Sequence, residues 1–120
     1  MMPKKICFIT GGVRSGKSSF AEKRANDIAS KRAYIATAQA LDAEMAAKIE
    51  KHKKDRSGVW DTFEEPIAVT ELLKNLRIRF NVVILDCLTL WLSNVMARLQ
   101  AEEFVLSQCE ALANAIRDFD

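Results

Sequence analysis

Hydrophobic positions in this chain follow two alternating patterns. Short, nearly continuous apolar runs occur at Lys5-Ile6-Cys7-Phe8-Ile9-Thr10, at Ala33-Tyr34-Ile35-Ala36-Thr37 and at Val82-Val83-Ile84-Leu85, the last ending on Asp86. Runs of this kind predict buried parallel strands. Trp60-Asp61-Thr62-Phe63 alternates apolar with polar and predicts a further short strand. Between the runs the spacing becomes helical. Phe20, Ala21, Arg24, Ala25 and Ile28 predict a helix over about 17–30, and a second is predicted over about 41–56, broken by Ser57-Gly58. Pro66 is placed for a helix start, with the helix running to about Leu76. Two more helices are predicted over 88–100 and about 102–119. Strands alternating with helices predict an α/β fold, a mainly parallel sheet with helices on both faces. Ligands of such sheets collect at the carboxyl ends of the strands, where Gly11, Ala38, Glu64 and Asp86 would lie.

Composition narrows the class. Hydrophobic residues make up 49% and charged residues 28% of the 120, the balance of an ordinary soluble globule with one domain over residues 1–120. The net charge of +2, from 18 basic and 16 acidic residues, is too even to suggest a nucleic-acid or membrane surface. No apolar run reaches the length of a membrane span, and the first one is too brief for a signal peptide. Cys7, Cys87 and Cys109 are widely spaced in apolar stretches, which fits reduced thiols in the cytoplasm better than disulfides or zinc. No apolar strand follows the last predicted helix before Asp120. So narrow a sheet leaves edges exposed, and further strands are expected from residues not included here or from another chain.

Residues 11–18, GGVRSGKS, fit G-x-x-x-x-G-K-S/T, the phosphate-binding P-loop. Gly11, Gly12, Val13, Arg14, Ser15 and Gly16 would bend backbone N–H groups around nucleotide phosphates. Lys17 would reach the β and γ phosphates, and the Ser18 hydroxyl would ligate Mg2+. The motif stands between a predicted strand and a predicted helix, as the loop requires. Asp86 follows four apolar residues in the Walker-B arrangement, an acid that can hold Mg2+ at the end of a strand. Its alternative role is to cap the following helix. Arg14 would contact phosphate or stabilise transition-state charge, or else be an exposed loop residue. Thr37 and Glu64, near strand ends, are candidate contacts to nucleobase or ribose. The stripe Leu88, Trp91, Leu92 and Val95 reads as core.

His52 is the only histidine, in a run from Lys48 to Arg56 that is rich in lysine. On a helix, Leu41, Met45, Ile49 and His52 share one stripe, so His52 is expected to point toward the protein. The lysines would attract a triphosphate, and the imidazole suits nucleophilic attack on phosphorus with a covalent histidine–nucleotide intermediate. A structural histidine beside a solvated lysine face is the alternative from the residues alone.

Several segments together resemble one family, the bifunctional adenosylcobinamide kinase / adenosylcobinamide-phosphate guanylyltransferase of cobalamin biosynthesis. They are GGVRSGKSSFAE (11–22), YIATAQALDAEMAAKIEKHKKDR (34–56), WDTFEEP (60–66) and VVILDCLTLWLSN (82–94). The P-loop is generic; the second and last segments are far more specific. The resemblance implies a P-loop NTPase-like (RecA-like) fold and two reactions. In the first, ATP or GTP phosphorylates the aminopropanol hydroxyl of adenosylcobinamide. In the second, GMP passes from GTP to that phosphate through a guanylated histidine, here His52. It also implies that Ala36, Thr37, Ala38, Lys53, Lys54, Asp55, Arg56, Glu64 and Asp86 contact nucleotide beside the P-loop. Family members are soluble homo-oligomers, understood as trimers. The family continues with another strand, an asparagine–glutamate–valine–glycine segment and closing elements, so this chain is expected to be C-terminally truncated. Two other classes stay open on the sequence: a monofunctional P-loop small-molecule kinase, and an inactive, truncated nucleotide-binding fragment.

Overall fold

In a computed structural model of the chain, the residues described are 6, 8, 9, 20–23, 32–39, 41–56 and 60–119. They include the strands β1 (Arg32–Ala36), β2 (Asp61–Glu64) and β3 (Val82–Asp86). The helices are α1 (Ala43–Arg56), α2 (Val69–Leu76), α3 (Leu88–Leu99) and α4 (Glu102–Asp118). The strands pair in parallel in the order β2-β1-β3. Parallel neighbours cannot be joined by a tight turn, so each connection is a crossover through a helix. α1 links β1 to β2, and α2 lies in the connection from β2 to β3.

The pleat sends alternate residues to opposite faces of the sheet. Ala33, Ile35, Phe63, Val83 and Leu85 face the main core. There they meet Val69, Leu73 and Leu76 of α2, Trp91 and Val95 of α3, and Leu112 and Ala115 of α4. Each helix offers these residues at three- and four-residue spacing, the stripe that an amphipathic helix buries. The Trp91 stripe is therefore core, as expected, and its indole Nε1–H donates to the Ile67 carbonyl at 2.9 Å. That bond satisfies the polar tip of a ring otherwise buried among apolar groups. Tyr34, Trp60, Val82, Ile84 and Ala36 form a smaller cluster, on the sheet face that Ala33 and Ile35 do not line. Packing of α2, α3 and α4 is thus concentrated on one face.

The expected α/β order with parallel strands is present, and each element after residue 31 lies close to its predicted bounds. Three details differ. Of the first predicted strand, the described residues Ile6, Phe8 and Ile9 are not in a strand, and Ile6 and Phe8 are exposed. They do not join the hydrogen-bonded sheet that would bury them. Residues 20–23 are helical, as predicted. Pro66 does not start a helix, because Glu65 folds back over the turn. Its Oε2 accepts the N–H groups of Ile67 at 3.1 Å and Ala68 at 3.0 Å, and α2 begins only at Val69. β3 is half-buried along its whole length rather than fully buried, since among the described residues it is an outer strand. No helix among the described residues is long and apolar enough to cross a membrane.

Candidate functional site

The register aligns the carboxyl ends of the three strands. Ala36 is paired with Glu64 on one side and Asp86 on the other. Residues paired across parallel strands project to the same face, so Glu64, Ala36 and Asp86 form one row. Two strand spacings, about 9.6 Å, separate the backbones that carry the acids. The Ala36 side chain stands between them, packed against the cluster of Tyr34 and Trp60. Of the residues expected at the carboxyl ends of the strands, Glu64 ends β2 and Asp86 ends β3, Ala38 lies two residues beyond β1, and Gly11 is outside the described residues.

Asp86 is half-buried, and the Tyr34 hydroxyl donates to its Oδ2 at 2.5 Å. Among the described residues no hydrogen bond reaches Oδ1. The alternative role as a helix cap falls instead to Cys87, whose Sγ accepts the Leu90 N–H at 3.4 Å. No group of three or more His, Cys, Asp or Glu residues among those described could hold a metal. Mg2+ needs no such cage, because it is commonly held by one or two carboxylates with phosphate oxygens and water. Asp86, with one oxygen that no described residue bonds, fits that requirement, together with a nucleotide.

Thr37 corrects an expectation. It is completely buried, and its polar atoms are used internally. Its Oγ1 accepts the Cys87 N–H at 2.9 Å and lies 2.9 Å from the Cys87 carbonyl and 3.2 Å from that of Asp86. Its N–H donates to the Asp86 carbonyl at 3.0 Å, and its own carbonyl accepts from Asn94 Nδ2 at 3.0 Å. The side chain ties β1 to the end of β3 and has no atom left for a base or ribose. Ala38, just beyond, is half-buried, and Glu64 is exposed.

His52 also differs from expectation: it is exposed. The stripe meant to turn it inward is itself largely in water, with Leu41 82% and Met45 39% exposed. Within α1 only Ala46 and Ile49 are half-buried among the residues whose burial is described. The physical cause is composition: α1 is mostly Ala, Lys and Glu, and two large aliphatic side chains bury too little to hold its last turns down. As the crossover from β1 to β2, α1 carries the chain back from the carboxyl ends toward the start of β2. His52 lies nine residues into that return, about 13 Å beyond the helix start. The structure does not bring it to the row.

Lys53, Lys54 and Asp55 follow His52 and are exposed, and Arg56 ends α1. Successive helical residues turn by about 100°, so Lys53 and Lys54 leave the face of His52. The lysine that shares its face is Lys48, one turn earlier. Gly11, Gly12, Val13, Arg14, Ser15, Gly16, Lys17 and Ser18 lie outside the described residues.

Three residues near the row were not singled out from sequence. Tyr34 meets Asp86 by way of a register that no sequence pattern states. Asn94 donates to the carbonyls of Thr37 and Pro66, both at 3.0 Å, joining the segments that follow β1 and β2 to α3. Its signal was a polar residue between Trp91 and Val95 on the buried side of a helix. Glu65, an acid just ahead of a helix, carried the signal of an N-terminal cap.

A sequence profile of the cobinamide kinase / cobinamide phosphate guanyltransferase family matches residues 7–120. The chain is 42% identical over 106 residues to the bifunctional adenosylcobalamin biosynthesis protein CobP of Pseudomonas aeruginosa, covering 84% of this chain and 61% of that protein. It is 43% identical over 91 residues to the bifunctional adenosylcobalamin biosynthesis protein CobU of Escherichia coli, covering 76% of this chain and 50% of that one. With the CobU protein of Salmonella typhimurium the identity is 39% over 102 residues, 81% of this chain and 53% of the relative. The chain therefore spans between 50% and 61% of the length of these curated relatives.

Proposed function

The chain belongs to the cobinamide kinase / cobinamide phosphate guanyltransferase family, and from that premise we propose that it is a cytoplasmic, bifunctional transferase of cobalamin biosynthesis. In its kinase step the γ-phosphoryl group of ATP or GTP passes to the aminopropanol hydroxyl of adenosylcobinamide. In its guanylyltransferase step a ring nitrogen of His52 attacks the α phosphorus of GTP; an N–P bond forms, the bond to the β-phosphate oxygen breaks, and pyrophosphate leaves. The phosphate of adenosylcobinamide phosphate then takes the GMP, giving adenosylcobinamide-GDP and freeing the histidine.

The observation that carries this proposal is the family match over residues 7–120, a span that includes the P-loop, His52 and Asp86. The geometry supports it in part, through the Glu64–Ala36–Asp86 row at the carboxyl edge of a parallel sheet. The backbone of residues 11–18 and Lys17 would hold the β and γ phosphates. Ser18 and Asp86 would hold Mg2+, which when bound neutralises phosphate charge. Glu64, Ala36 and Ala38 would line the nucleotide. Residues 1–120 are assigned to one P-loop nucleotide-binding domain, in a homo-oligomer that by resemblance is a trimer.

A monofunctional kinase is favoured by one observation, the exposed position of His52 on the crossover helix. Product analysis separates the two. With cobinamide and GTP, γ label should enter cobinamide phosphate and α label should enter cobinamide-GDP. Transfer of γ label alone would leave the kinase reading.

A further inference from the structure

We propose that Tyr34 is a positioning residue for Asp86, holding one carboxylate oxygen so that the other stays available to a nucleotide-bound divalent cation. This rests on the role given to Asp86 above. Tyr34 is paired with Ile84, two residues before the Ala36–Asp86 pair. It is therefore the diagonal neighbour of Asp86 on the same face, within reach of an aromatic side chain. Its hydroxyl donates to Oδ2 at 2.5 Å.

What makes this bond an orienting one is the rigidity of the donor. Tyr34 is 4% exposed and Trp60 6%. The two rings meet edge to face at 85°, with centroids 6.0 Å apart, so packing rather than the bond to Asp86 fixes the hydroxyl. An aspartate carboxylate otherwise turns through a broad, roughly two-fold torsion in which its oxygens interchange. A fixed donor on Oδ2 removes that freedom. A carboxylate has lone pairs for about four partners, so one bond from Tyr34 leaves Oδ1 its full capacity.

Tyr34→Phe tests this, since it keeps the ring and its contact with Trp60 and removes only the donor. Mn2+ affinity would be measured from the electron paramagnetic resonance signal of free Mn2+ in the presence of GTP. GTP affinity in EDTA and the urea midpoint would be measured alongside. The expected result is Mn2+ binding weakened about tenfold, the scale found for residues that orient metal ligands, with metal-free GTP affinity unchanged. Because Tyr34 acts through Asp86, the double variant Tyr34→Phe/Asp86→Asn should bind Mn2+ no more weakly than Asp86→Asn alone. Unchanged Mn2+ affinity in Tyr34→Phe, with Asp86→Asn weakened, would overturn the positioning role and leave that of Asp86 standing. Additive losses in the double variant, or equal losses with and without metal, would also overturn it. Unchanged Mn2+ affinity in Asp86→Asn itself would remove the role of Asp86, and that of Tyr34 with it.

Discussion

Thr37 Oγ1 accepts the backbone N–H of Cys87 at 2.9 Å, joining the first residue beyond β1 to the first residue beyond β3. Both strands end at this tie, and Asp86 stands immediately before it. Replacing Thr37 by Val keeps the shape but leaves the Cys87 N–H without its partner in a partly buried site. The expected loss is about 1–3 kcal/mol of stability, the cost of an unsatisfied buried donor. Urea midpoints measure it, and Thr37→Ser should lose less because it keeps the hydroxyl. Loss of nucleotide affinity with no loss of stability in Thr37→Val would instead mean direct contact with ligand.

Asn94 makes a second tie, with its Nδ2 donating to the carbonyls of Thr37 and Pro66. Asn94→Ala removes both bonds, and the predicted cost is about 1–3 kcal/mol. Hydrogen exchange should rise most at the ends of β1 and β2 and in the first turn of α2. A stability change with no local rise there would show that Asn94 does not hold those segments together.

Lys48 shares the helical face of His52, whereas Lys53 and Lys54 do not. If GTP is drawn to that face, Lys48→Ala should raise the KM for GTP about two- to fivefold in the guanylyl step, as expected for one solvated charge. Lys53→Ala should change it less. Equal effects would mean that the lysines act only as a general positive field.

Much of the fold was legible because its signals are local. The apolar runs at 33–37 and 82–85 and the stripes of α2, α3 and α4 report their own burial. The GGVRSGKS pattern at 11–18 is equally local, but those residues lie outside the described ones. What stayed hidden depends on register and packing. Nothing in the sequence states that Ala36 pairs with both Glu64 and Asp86, or that Tyr34 therefore meets Asp86 diagonally. Thr37 looked like a ligand contact because it stands at a strand end, yet its hydroxyl belongs to the neighbouring strand. The stripe from Leu41 to His52 had helical spacing but too little apolar area to bury itself, so spacing alone overstated it.

The central claim is that GMP becomes covalently attached to His52, and labelling of the protein tests it most directly. The chain would be incubated with Mg2+ and GTP labelled at the α phosphate, then denatured and counted. The expected result is acid-labile, base-stable label on the protein, none from γ-labelled GTP, and none on His52→Ala, which should still bind GTP. Undiminished label on His52→Ala, or no label on a parent chain shown to bind GTP, would contradict it.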